Sequence, residues 1–465
     1  MKVLLVKPYN LSDHIQPSLG LGYLAAYAKA EHEVKILDCI KERVKIPGFS
    51  KVLDKEKPDI VGIQCYTYDL YNLKSMLGQC KARGMTTVLG GPHPSAVPKE
   101  TMEFFGKDLD YLFQGEAEIG FKMLLDRLSG KSSVGFKDIP GLAWRGGGEL
   151  CVNDKNFEED IDTLGMPAWD LIKPQEYPEA QHGAFFKKFP IAPIMATRGC
   201  PFSCTFCAGN LISGKKIRKR SVRNILTEIR TLYGDYGIRE FHVVDDNFTL
   251  DKAFAKDLLR NLRKLNLDMS WAVPNGIRMD TLDDEILSLM KETGLYLISL
   301  GIESGSNRIL RLMKKNTTTE KIKHSIELIR RHDIDIAGFF ILGFPGETRE
   351  DIEKTITFSL ELDLIRANFF TYLPFPGTES FNALKHEGKL NSVDLKRFYF
   401  MNATFTPEGM DKDTLKNLQR KAFLKFFLRP RIFVRNLAQI KSFRHFKFLV
   451  KRFFRWMFAW GQVSS

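Results

Sequence analysis

No stretch of eighteen apolar residues occurs anywhere in the 465-residue chain, so no segment is expected to cross a bilayer as a helix. The opening, Met1-Lys-Val-Leu-Leu-Val-Lys-Pro8, is too short and too charged for a secretion signal. Cysteine is scarce, with seven residues in all, too few for a disulfide-stapled secreted fold. These absences point to a cytoplasmic protein with reduced thiols. Acid is missing from one end: residues 421–465 hold eleven Lys or Arg and no Asp or Glu. Net charge is +13, so removing the tail's eleven leaves +2 on the first 420 residues. The body is near neutral, and the basicity belongs to the tail.

What is present is a repeated strand–helix alternation. Short apolar runs at residues 2–6, 33–37, 59–65, 86–89 and 111–114 are separated by helical patterns at 19–30, 70–83 and 117–128. Such alternation implies an α/β fold with a parallel sheet covered on both faces. Residues 1–130 are expected to form a flavodoxin-like, Rossmann-like domain with its ligand beyond the strands' carboxyl ends. Residues 131–190 break the pattern with a glycine-turn hairpin near 143–150 and several prolines, and read as a linker. A second alternation covers residues 191–400. Its strands are expected at 194–198, 240–244, 270–273, 297–301, 337–342 and 368–373, each followed by a helix. Six such units make an open, partial TIM-type barrel whose chemistry sits on loops after the strands. Residues 401–465 are expected to be helical, basic and aromatic.

Cys200, Cys204 and Cys207 form a C-x3-C-x2-C trio on the first of those barrel loops, with no fourth cysteine near. Structural zinc needs four closed ligands, and the nearest histidines, His182 and His242, lack the paired spacing of a zinc site. Iron–sulfur clusters normally take four cysteines. Three thiolates therefore suggest a cluster with one iron open to a non-protein ligand. Zinc and purely structural cysteines remain alternatives. Glycine-rich turns at 301–306 and 343–347 fall at later strand ends, where glycine admits a ligand close to the backbone.

On these residues the chain resembles cobalamin-dependent radical S-adenosylmethionine enzymes over residues 1 to about 400. Phe206, just before the last cysteine, matches the aromatic usual there. The resemblance implies a [4Fe–4S] cluster on Cys200, Cys204 and Cys207, with S-adenosylmethionine on the open iron. It implies cofactor contacts from Phe206, from Asp245, Asp246 and Asn247, from Glu303 and Ser304, and from Phe340 and Gly343 beside the adenine. Asn275 and Arg278 are further polar groups at a strand end. For cobalamin it implies Tyr66 and Thr67, the loop Gly90, Gly91, Pro92 and His93, and Gly115 with Glu116. The cobalt-ligating D-x-H-x-x-G motif is absent, since Asp13-His14 has the wrong spacing. The implied reaction is C-methylation of an unactivated carbon, with the cofactor carrying the radical chemistry. Anaerobic magnesium-protoporphyrin ester cyclases, which share this architecture, are the alternative. An external electron donor such as flavodoxin or ferredoxin is implied as partner. Outside the family, a non-catalytic zinc- or corrinoid-binding scaffold docked on a membrane is a second class of reading.

In the tail, Phe443, Phe446, Leu449, Val450, Phe453, Met457 and Trp460 recur at helical spacing, and Lys441, Arg444, Lys447, Lys451 and Arg455 recur on another face. A basic amphipathic helix reads as a membrane-surface segment, so residues 421–460 are expected to give peripheral contact at the inner face of the membrane and to suit a small lipid or tetrapyrrole substrate. Packing of the apolar face on the barrel is the competing reading. Nucleic acid is not expected, because no recognised binding module accompanies the segment.

Overall fold

The computed structural model describes residues 1–10, 15–179, 186–390, 393–438, 440, 442–443, 445–447 and 449–450. Asp13, His14 and His182 lie outside the described residues, as do Lys441, Arg444 and everything beyond Val450.

The first sheet contains β1 (Lys2–Lys7), β2 (Glu33–Asp38), β3 (Ile60–Gln64), β4 (Thr86–Gly90), β5 (Tyr111–Phe113), β6 (Leu142–Gly146) and β7 (Glu149–Val152). Its order is β2-β1-β3-β4-β5-β6-β7. The first five strands run parallel, in the flavodoxin-like order. The run Val3–Val6 does not alternate in polarity because both faces are covered: Leu4 and Val6 join one core, Val3 and Leu5 another. The glycine-turn hairpin is no spacer. It is β6 and β7, which extend this sheet antiparallel to β5 as far as Val152.

The second sheet is the open barrel. Its strands are β8 (Ile191–Ile194), β11 (Glu240–Val243), β12 (Ser270–Ile277), β13 (Leu295–Glu303), β14 (Asp335–Leu342) and β15 (Arg366–Thr371). All six run parallel in the order β15-β14-β13-β12-β11-β8. Between β8 and β11, the short strands β9 (Thr197–Arg198) and β10 (Arg218–Lys219) pair antiparallel. The outer helices start where a side chain can take a free amide. Ser221, Asp251, Asp283, Thr318 and Thr348 cap helices Val222–Gly234, Lys252–Lys264, Asp284–Glu292, Thr319–Arg331 and Arg349–Glu361.

The first barrel strand ends earlier than its expected span of 194–198. The carboxylate of Asp245 takes the N–H groups of Ala196 and Thr197 at 2.8 and 2.7 Å, which removes them from the ladder and turns the chain into the cysteine loop.

The C-terminal helices Lys412–Phe427 and Pro430–Ala438 divide their apolar residues between core and water. Ala422, Phe426 and Ile432 are buried in the barrel's outer core. Leu428 is 67% exposed, and Phe433, Val434, Leu437 and Phe443 are also exposed. Arg435 pairs with Asp335 at the start of β14, and Arg431 reaches Asp363 just before β15 at 3.3 Å. The helix Pro430–Ala438 therefore sits at the N-terminal rim, opposite the mouth where the cysteine loop lies.

Candidate functional site

The cysteine loop is closed at its neck. Gly199 adopts φ 94°, and a Cβ there would stand 2.2 Å from the carbonyl of Lys216, so only glycine fits. The Cys200 N–H bonds the carbonyl of Gly214 at 3.1 Å. Thr205 and Phe206 pin the far side. The Thr205 N–H meets Met313 O, the Ser380 N–H and hydroxyl both donate to Thr205 O, and the half-buried Phe206 packs in a cluster with Phe344, Tyr372 and Phe405. The sequence resemblance put Phe206 beside the cofactor; here its ring also anchors the loop.

The three thiols lie within electrostatic reach of one another, and Cys200 and Cys207 also of Asp246. Among the described residues no group of three or more His, Cys, Asp or Glu closes on a common point as a finished metal site. The donor set, three soft sulfurs on one short loop, fits a cluster and falls short of a closed zinc tetrahedron among the described residues. Burial in the recess pushes the Cys200 thiol up and Cys207 to about 11, although the Cys207 residue still reaches solvent.

Behind the loop, the residues after β11 divide their work. Asp245 is buried. Besides the two amides it takes the Thr197 hydroxyl at 2.8 Å, and burial raises its carboxyl to about 7. It is a strut under the loop. Asp246 opens toward the thiols; its carboxyl is raised by burial against hydrogen bonds from Ser213 and the Gly199 N–H. Asn247 is 1% exposed, and neither atom of its amide has a hydrogen-bond partner among the described residues. Leaving such a group unmatched costs about 1–3 kcal/mol, and a ligand carrying both a donor and an acceptor would relieve it.

After β13 the chain bulges between Gly301 and Glu303, and Glu303 takes a left-handed backbone at φ 65°. The kink aims its carboxylate at Lys315 Nζ, 2.8 Å away. That ammonium lies 6.0 Å from the Phe206 ring centroid and interacts with Cys204. Arg278 covers the Phe202 ring at 3.6 Å and is held by Asp280, while Asn275 Nδ2 donates to Val244 O. Ser304 is fully buried and bonded to Thr355 Oγ1 and to the Ser306 N–H, so it braces the turn and does not face the mouth.

Two expected adenine neighbours also point away from it. Phe340 is fully buried and stacks on Phe369 at 5.1 Å within the outer core. The alternation of β14 sends Phe339 and Ile341, both half-buried, to the inner face instead. Gly343 has φ 80°, and a Cβ there would meet Leu415 of the C-terminal helix at 2.6 Å. Its close approach serves helix packing.

On the other domain, Thr67 Oγ1 and His93 Nδ1 lie 3.1 Å apart, and burial lowers the His93 imidazole to about 4. Gly91, at φ 108°, presses on the backbone of Cys65, where a Cβ would come within 3.1–3.2 Å. Gly90 faces open space, and Pro92 starts the short helix Pro92–Ala96. Tyr66 stacks on Tyr68 with centroids 5.3 Å apart.

Gly115 and Glu116 are engaged at the domain junction. The Gly115 N–H donates to Ser95 Oγ. Glu116 receives a bidentate pair from Arg218 at 2.7 and 2.6 Å, with Arg198 adjacent to it and bonded to Glu118. Lys155 donates to the carbonyls of Ser95 and Leu211 at 2.7 and 2.6 Å, joining the His93 turn to the helix after Cys207. Neither Lys155 nor Lys315 carries a sequence signal, because each sits in an ordinary polar stretch. Phe339 was hidden because both faces of β14 are apolar.

Two family models match the chain: the B12 binding domain over residues 12–125 and the radical SAM superfamily over residues 194–359. An uncharacterised methyltransferase of Pyrococcus horikoshii is 32% identical, covering 98% of this chain and 97% of its own length. The cytidylyl-2-hydroxyethylphosphonate methyltransferase of Streptomyces wedmorensis is 30% identical, covering 81% of this chain and 80% of its own. In fold, the cobalamin-dependent S-adenosylmethionine radical enzyme OxsB, solved with aqua-cobalamin and S-adenosylmethionine, superposes with a TM-score of 0.73 at 17% identity, covering 97% of this chain and 70% of that one. The chain belongs to the radical S-adenosylmethionine superfamily, in the branch with an N-terminal B12-binding domain, whose cofactors are a [4Fe–4S] cluster, S-adenosylmethionine and cobalamin.

Proposed function

We propose that this protein methylates an unactivated carbon of a small molecule, drawing electrons from an external donor such as flavodoxin or ferredoxin. The observation that carries the site is the meeting of a three-thiol loop with a buried, unpartnered Asn247 amide at one barrel mouth. When bound, the cluster and S-adenosylmethionine supply a carbon-centred radical, and cobalamin supplies a transferable methyl group. In this reading Cys200, Cys204 and Cys207 hold the cluster. Asn247, Asp246 and Glu303 receive the polar groups of S-adenosylmethionine, Asp245 and Phe206 hold the loop in place, and Thr67, His93 and Gly91 shape the cobalamin face. Arg198, Arg218 and Lys155 keep the two domains in register. Anaerobic reconstitution with iron, sulfide and hydroxocobalamin tests it. Methylation yields both S-adenosylhomocysteine and 5′-deoxyadenosine. Only the latter would favour a cyclase, and zinc without iron or labile sulfide would leave a non-catalytic scaffold.

We also propose that residues 421–460 contact an anionic membrane. The support is the exposed apolar set Leu428, Phe433, Val434, Leu437 and Phe443 in a segment without a single acid; each cation near such a surface contributes about 1 kcal/mol. No helix among the described residues is long and apolar enough to cross a membrane. Co-sedimentation with phosphatidylglycerol vesicles, and none with phosphatidylcholine vesicles, is the expected result. Because the helix Pro430–Ala438 lies at the N-terminal rim, binding through it would turn the barrel mouth toward water.

A further inference from the structure

The inner wall of β14 and β15 is aromatic. Phe339 and Phe370 lie 5.9 Å apart by centroid, and Phe370 lies 4.9 Å from Phe400. Phe400 belongs to a segment that folds back across the mouth, its carbonyl held by the Thr371 N–H at 2.9 Å and the Thr371 hydroxyl at 2.8 Å. Tyr399 follows at 6.2 Å from Phe400 and is 37% exposed. Across the domain junction Tyr399 stands within electrostatic range of Tyr68, which stacks on Tyr66. An aromatic path thus runs from the barrel interior to the cobalamin face.

The side chains on this path are only partly covered. On β14 and β15, the outward residues Phe340, Leu342, Ala367 and Phe369 are fully buried, while the inward Phe339, Ile341 and Phe370 are half-buried. Large apolar groups left partly open at a strand-end mouth mark a place where apolar surface can be covered. A Cβ at Gly276 would touch the Phe339 ring at 3.7 Å, and one at Gly301 would strike the Glu303–Lys315 pair. This links the aromatic wall to Lys315 and so to Phe206 and Cys204. Charge at this end is already matched: Lys315 is held by Glu303 and Arg278 by Asp280. An anionic substrate would have to break one of those pairs.

We infer that the substrate is an extended, carbon-rich apolar molecule, a ring system or polyprenyl-type chain, whose body lies along Phe339, Ile341, Phe370 and Phe400 with Tyr399 and Tyr68 at its outer end. This rests on the reading of the site as a radical methyltransferase and names its substrate class. The reconstituted holoenzyme would be titrated with the uncharged dimethyl ester of protoporphyrin IX, followed by porphyrin fluorescence, with farnesol and cytidine monophosphate as competitors. Porphyrin should bind, farnesol should displace it, and cytidine monophosphate should not. Phe370→Ala should weaken porphyrin binding at least tenfold. Tyr399→Ala, at a partly exposed position that a fold defect would spare, should weaken it about threefold. Displacement by cytidine monophosphate, binding that neither substitution changes, or no binding of either apolar probe would overturn the inference. Substrate-free formation of 5′-deoxyadenosine in the same preparations keeps the two readings apart. Its absence from the wild type refutes the radical chemistry, and its presence without apolar binding refutes only the substrate class.

Discussion

The two ends of the barrel treat polar groups in opposite ways. At the N-terminal rim Glu240 is fully buried and completely matched: it accepts the N–H groups of Lys187 and Lys188 at 2.8 and 2.6 Å, pairs with His242 Nε2 at 2.8 Å, and takes the Tyr296 hydroxyl at 2.8 Å. At the C-terminal mouth Asn247 is as deeply buried, and its amide has no partner among the described residues. Three thiols lie at the same mouth beside the Asp246 carboxyl, and among the described residues no group of three or more His, Cys, Asp or Glu closes there as a metal site. Burying an unmatched polar group is costly. An amide left unmatched at the mouth, where Glu240 at the other end has every partner it needs, keeps that position for a ligand.

The sharpest break of this comparison is at the loop. Cys204→Ala removes one of the three thiols proposed to hold the cluster and should lower 5′-deoxyadenosine formation by more than about a thousandfold, with iron and labile sulfide lost in proportion, while the urea midpoint of the apoprotein stays within error. Retained cleavage would mean that the trio is not the cluster site.

The matched end should respond the other way. Glu240→Ala leaves a histidine, a tyrosine and two amides without their acceptor. Removing one member of such a buried network costs about 3–5 kcal/mol, read as a lower urea midpoint. Cluster content per folded molecule should be unchanged.

Glu347 tests the mouth through pH. Its carboxylate accepts the Gly343 and Phe344 N–H groups, yet one oxygen has no partner, and burial pushes the carboxyl from 4.5 up to about 8. Between those values the folded chain keeps a proton that the unfolded chain has released. Stability should therefore decline as pH rises through that window. Glu347→Gln keeps the neutral form and should flatten the decline in urea titrations from pH 5 to 9; an unchanged slope would assign it to other groups.

The smallest effect belongs to Asn247→Ala. No side-chain hydrogen bond among the described residues is lost, so thermal stability should hold or rise. The S-adenosylmethionine dissociation constant should rise about tenfold, or about 1.4 kcal/mol, by equilibrium dialysis. A fall in stability with unchanged affinity would make the amide structural.

Local chemistry carried much of this protein into view from sequence. Apolar runs separated by helical patterns specify parallel strands, because a strand covered on both faces needs no polar side. Ser221, Asp251 and Thr348 mark helix starts because each can take a free amide. The spacing of three cysteines already points to a cluster loop, since it is set by bonds along one short stretch. The tertiary structure decided the rest, because it depends on groups far apart in the chain. Only the register of β14 against its neighbours sends Phe339 inward and Phe340 outward. Only the domain contact turns Glu116 toward Arg218, 102 residues away. Gly343 was a strand-end glycine until Leu415 filled the space beside it. Which polar groups find partners is settled by the packing of the whole chain, and that packing is what separates the strut Asp245 from the unmatched Asn247 two residues on.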